Sequence, residues 1–135
     1  MAVVVGYLPT EEGRAALHQA AKECQLRNTR LIVINSTQGG KDLDGEALAA
    51  YEATLAAVRA ELDQAGIVNE VRPLVRGLEL ADDIIAVAEE VSADVIVIGL
   101  RRRSPVGKLI LGSNAQRILL EAPCAVLAVK ADTSA

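Results

Sequence analysis

The chain is almost without aromatic side chains: it has two tyrosines, Tyr7 and Tyr51, and neither phenylalanine nor tryptophan. Stacking platforms for single-stranded nucleic acid are therefore missing, and the core has to be built from Val, Ile, Leu and Ala. Histidine is nearly absent too. His18 stands alone, which excludes multi-histidine metal centres, and no serine or cysteine is marked as its triad partner. Its helical pattern sets it off the Leu17 stripe, so it is expected at the surface. Cys24 and Cys124 lie far apart without metal-ligand spacing and read as small buried hydrophobes. No apolar run reaches the ~20 residues of a membrane helix. The start, Met1-Ala-Val-Val-Val-Gly6, has no basic n-region or cleavage site; no signal peptide is expected, and a cytoplasmic location is the default. Two phosphate motifs also fail. No G-x-G-x-x-G follows a strand, and Gly107-Lys108 is no Walker A end, because Leu109 replaces the required Ser/Thr and Arg102 the first glycine.

What remains is an aliphatic chain of 135 residues, 51% hydrophobic, with a formal net charge of -4. That length suits one domain, 1–135, with a real core. The acidic balance argues against a nucleic-acid partner. Yet Arg101, Arg102, Arg103 and Lys108 crowd into one short stretch, and such a knot suits a small anion better than a long polyanion.

Four runs, Val3-Val-Val5, Leu31-Ile-Val-Ile34, Val95-Ile-Val-Ile98 and Ala125-Val-Leu-Ala-Val129, are apolar without alternation, the mark of parallel strands covered on both faces. A fifth run, from Val68 to Val75, contains Pro73 and belongs at an edge, since proline cannot donate to a ladder. Helical spacing fills the gaps. Leu17, Ala21 and Cys24 follow a start near Thr10. Leu48, Tyr51, Leu55, Val58 and Leu62 precede Gly66, a natural C-cap. Leu80, Ile84, Val87 and Val91 come next, and Ser113-Asn-Ala-Gln116 matches a capping box at the last helix. The paired carboxylates Asp82-Asp83 and Glu89-Glu90 read as solvated helix faces.

The expected fold is a three-layer, doubly wound α/β domain on a five-stranded parallel sheet of order 3-2-1-4-5. Ligands in such sheets sit where the strand order reverses, outside the carboxyl ends of the first and fourth strands. Here those ends are Tyr7-Leu8-Pro9-Thr10 and the stretch from Gly99 to Ser113. Glycine lets backbone N–H groups approach an anion closely, and a helix start adds oriented donors and partial positive charge. The bland alternative is an ordinary strand-to-helix loop with solvated arginines.

The stretch Val95-Ile-Val-Ile-Gly-Leu-Arg-Arg-Arg-Ser-Pro-Val-Gly-Lys-Leu-Ile-Leu-Gly-Ser113, continuing to Val129, resembles the universal stress protein family, as does the whole chain in element order. ATP-binding members of that family carry G-x2-G-x9-G-[ST] here. This chain keeps Gly99, Gly112 and Ser113 but has Arg102 at the second glycine, and Leu8 where those members place an acidic residue. The resemblance implies an adenine nucleotide, ATP or a relative, with or without Mg. It implies a site from Leu8, Pro9, Thr10, Ser36, Gly99, Arg101, Arg102, Arg103, Gly112, Ser113 and Asn114. It also implies a homodimer paired through the last strand, Ala125 to Val129. Three readings stay open: a nucleotide-binding regulatory protein of the stress response, a slow ATPase or nucleotide transferase, and a dimeric interaction module that binds no nucleotide.

Overall fold

The computed structural model of the chain describes residues 1–7, 10–36, 45–74, 80–100 and 112–131. Strands and helices alternate as β1 (Ala2–Tyr7), α1 (Glu11–Arg27), β2 (Arg30–Ser36), α2 (Gly45–Gln64), β3 (Asn69–Leu74), α3 (Leu80–Glu90), β4 (Val95–Leu100), α4 (Ser113–Glu121) and β5 (Ala125–Lys130). All strand pairs are parallel and the order is β3-β2-β1-β4-β5. The apolar runs of the inner strands are explained by this arrangement. Successive residues of a strand face opposite sides, and here both sides are covered. Val3, Val5 and Tyr7 turn to one layer with Leu31, Val33, Val95 and Val97, under Ala16, Leu17 and Ala20 of α1 and Val58 and Leu62 of α2. Val4, Ile32, Ile34, Ile96 and Ile98 turn to the other, under Ile84, Val87 and Ala88 of α3 and Ile118 of α4. Each of these large aliphatic side chains contributes about 1.5–3 kcal/mol by leaving water.

The edge position expected from Pro73 holds: among the described residues β3 pairs with β2 alone, with Pro73 opposite Asn35. Gly66 follows α2 with φ +74° and donates its N–H to the Asp63 carbonyl at 3.0 Å, a left-handed position that favours glycine. His18 is exposed as expected, its Nε2 3.6 Å from Glu61 Oε1.

One expectation is overturned. Asp83 is not on a solvated face; it is 3% exposed, the one buried charged residue among those described. It stands one residue before Ile84 and one turn before Val87, both buried in the core, and that flank of α3 is buried with them. Its place in the first turn of α3, against the positive end of the helix dipole, favours a carboxylate there. Asp82 pairs with Arg117, tying the start of α3 to the middle of α4. The bonds to Asp82 and then Glu121 hold the Arg117 guanidinium above its ordinary range.

Candidate functional site

β1 and β4 are neighbours, but the chain leaves β1 toward β2 and β4 toward β5. A crevice must open between their carboxyl ends. Gly6 of β1 and Ile98 and Gly99 of β4 form its floor, and the first turns of three helices, α1, α3 and α4, converge on it.

The three helix starts differ in what they can still bind. In α1 the Thr10 hydroxyl accepts from the Gly13 N–H at 3.1 Å, and Glu11 and Glu12 offset the dipole. In α3 the Ala81 N–H donates to Asn114 Oδ1 at 3.2 Å, and the first turn carries Asp82 and Asp83. α4 differs. Its N-cap is Gly112, which supplies no side-chain acceptor, and its first turn holds no acidic residue. Among the described residues no acceptor meets the N–H groups of Ser113, Asn114 or Ala115. These are the orphan donors of a helix start, with the dipole unopposed.

The predicted capping box is therefore corrected. Ser113 is the first helical residue, not the cap, because the extended cap position falls one residue earlier, at Gly112 (φ −70°, ψ 166°). Ser113 itself is exposed.

The glycines divide as well. A Cβ on Gly99 would lie 2.2 Å from the Glu12 carbonyl oxygen and 2.7 Å from its carbon. Gly99 thus admits the backbone of α1's first turn, a packing role at the crevice floor. A Cβ on Gly112 would meet nothing within 4 Å among the described residues, and its φ suits any residue. Asn114 is likewise partly structural, since its Oδ1 is engaged by α3 and its amide nitrogen remains. Thr10 sits at the crevice with its oxygen engaged as a cap. Ser36 ends β2, where its backbone pairs in register with Leu74. Leu8, Pro9, Arg101, Arg102 and Arg103 lie outside the described residues.

Gly13, Leu80 and Ala115 also line the crevice and were missed by sequence reasoning. Gly13 had a signal. Glycine inside a helix costs about 1 kcal/mol against alanine, so a buried glycine in α1's first turns marks a close approach. Leu80 and Ala115 carried none, being indistinguishable from core residues.

Neither cysteine suits nucleophilic work. Burial, then the charge of Glu23, pushes the Cys24 thiol up to about 11; burial and Asp94 raise Cys124, and a reactive cysteine needs the opposite shift. Among the described residues no group of three or more His, Cys, Asp or Glu could hold a metal ion, and no helix is long and apolar enough to cross a membrane.

The model of the universal stress protein family matches residues 1–130. The chain belongs to that family. A universal stress protein of Mycolicibacterium smegmatis is 42% identical over 128 residues, 95% of this chain and 96% of the relative. The structure of a universal stress protein from Archaeoglobus fulgidus superposes with a TM-score of 0.80 at 37% identity, covering 96% of this chain and 98% of the other. A second from Archaeoglobus fulgidus, solved in complex with dAMP, superposes with a TM-score of 0.76 at 32% identity over the same shares.

Proposed function

We propose that this universal stress protein is a nucleotide-binding regulator of the stress response that seats an adenine nucleotide, preferentially ATP, in the crevice between β1 and β4. The observation that carries this is the start of α4, the one helix start at the crevice with uncapped donors, no acidic first turn and open space at Gly112. Phosphates belong there, with the Ser113 hydroxyl as a further donor. The adenine and ribose reach toward Leu8, Pro9 and Thr10 and the backbone of Ser36, and the dAMP complex of the Archaeoglobus fulgidus relative supports an adenine nucleotide as the ligand class. A Mg ion, if present, comes with the triphosphate. Arg101 to Arg103 supply countercharge, and Arg102, standing where ATP-binding members have glycine, clamps phosphate by charge-assisted hydrogen bonds. A cytoplasmic location fits a ligand of this kind.

Calorimetry tests the reading. ATP is expected to bind more tightly than AMP, adenosine weakly or not at all, and the ATP affinity to fall with salt, since part of it is Coulombic. Arg102→Gly should weaken ATP by about tenfold for each ~1.4 kcal/mol of lost clamp. Equal affinities for ATP and adenosine would mean that the basic knot faces solvent.

A second reading, a dimeric interaction module without nucleotide, is favoured by Leu8 and Arg102 and by the free edge. Among the described residues β5 pairs only with β4; it is apolar up to Lys130 and lies in the same part of the chain as Leu120, 85% exposed on α4. An edge of this kind invites another chain. Both readings include a homodimer in which β5 pairs antiparallel with its mate. Light scattering should give twice the monomer mass at micromolar concentration; a monomer there removes the dimer from either reading.

A further inference from the structure

Tyr7 closes β1 on the face away from the α3 and α4 layer, following Val3 and Val5 under α1 and α2, and is 5% exposed. Among the described residues its hydroxyl has no hydrogen-bond partner. A buried hydroxyl normally finds one, and an unpaired one carries a desolvation cost that calls for an explanation. The ring lines a cavity of about 310 Å³ between α1 and α2, walled by Leu17 and Val58. Its mouth carries Arg14, His18 and Glu61. His18 Nε2 stands 3.6 Å from Glu61 Oε1. Arg14, one turn earlier on α1, makes no ion pair among the described residues. The cavity thus combines Arg14, without an ion pair among the described residues, apolar walls from Leu17 and Val58, and the buried Tyr7.

We infer that this cavity is a second ligand site, for a small organic monocarboxylate with an apolar body and a hydrogen-bonding group at its far end. The carboxylate meets Arg14, which presents a planar fork of donors matched to it. The body lies between Leu17 and Val58, and the far group pairs with Tyr7. The site stands apart from the nucleotide crevice and does not depend on it.

His18 is the only histidine, so its imidazole resonances report this cavity without ambiguity. The probe is 4-hydroxybenzoate, titrated into the isotope-labelled full chain and followed by NMR. Saturable shifts of the His18 and Tyr7 rings are expected, retained in Gly112→Val. Arg14→Gln should weaken binding by about tenfold. Tyr7→Phe should remove the preference for 4-hydroxybenzoate over benzoate. It should also leave the ligand-free melting temperature unchanged or raise it, because it deletes an unpaired polar atom, so a loss of binding there is no folding defect. No saturable shift up to about 10 mM, equal shifts with neutral 4-hydroxybenzamide, or shifts unchanged in Arg14→Gln would overturn the site.

Discussion

Gly112→Val should abolish ATP binding while leaving the fold intact. The reason lies in the two properties that separate Gly112 from other glycines here. Its φ of −70° is one that valine adopts without strain, and its Cβ direction leads into open space among the described residues. Valine gives up the modest fitness of glycine as an N-cap, but it also lowers the entropy of the unfolded chain by an amount worth about 0.4–1 kcal/mol. The two nearly cancel, so the thermal midpoint should move by no more than a few degrees, about 1 kcal/mol or less. The isopropyl group, however, occupies the space in front of the Ser113 and Asn114 N–H groups. An anion held back from those donors loses the short, aligned geometry on which charge-assisted bonds depend. The expected loss in calorimetry is at least a hundredfold, about 2.7 kcal/mol. Wild-type ATP affinity in Gly112→Val would place the phosphates elsewhere than at α4.

Gly99→Ala is expected to do the opposite, damaging the fold before it touches any ligand. The new methyl would sit 2.2 Å from the Glu12 carbonyl oxygen and 2.7 Å from its carbon. Both belong to the main chain of α1, which cannot rotate away as a side chain can. α1 must shift as a body, disturbing Ala16, Leu17 and Ala20 in the core beneath it. Overpacking in a close-packed interior costs about 1–3 kcal/mol and sometimes more; against backbone the upper end is expected, a fall of about 10 °C in the melting temperature. Gly6→Ala supplies the comparison. Its Cβ would stand 2.7 Å from Ile84 Cδ1, the tip of a side chain that can change rotamer, so a loss of about 1 kcal/mol is expected. An unchanged melting temperature in Gly99→Ala would show that α1 is not seated on β4 as described.

The element order, the parallel sheet, the edge at Pro73 and the Gly66 cap were all legible in the sequence. They rest on short-range rules: the side-chain period of strands and helices, the missing N–H of proline, the left-handed freedom of glycine. Strand order followed from right-handed crossovers, and with it the location of the crevice. The family could be read from the spacing of Gly99, Gly112 and Ser113. Tertiary structure alone decided what each of those residues does. Gly99 and Gly112 look alike in the motif, yet one faces the backbone of Glu12, from the other end of the chain, and the other faces open space. Asp83 read as solvated because periodicity finds a stripe without measuring how wide a flank the sheet covers. Thr10, Asn114 and Ser113 are all plausible ligand donors by type. Which has a free oxygen depends on whether a neighbouring N–H has claimed it, and for Asn114 that neighbour is on another helix. Local periodicity sets where elements begin and what they bury. The unspent donors and the empty space appear only when distant elements are brought together, because hydrogen bonds and steric exclusion act over a few ångströms without regard to chain distance.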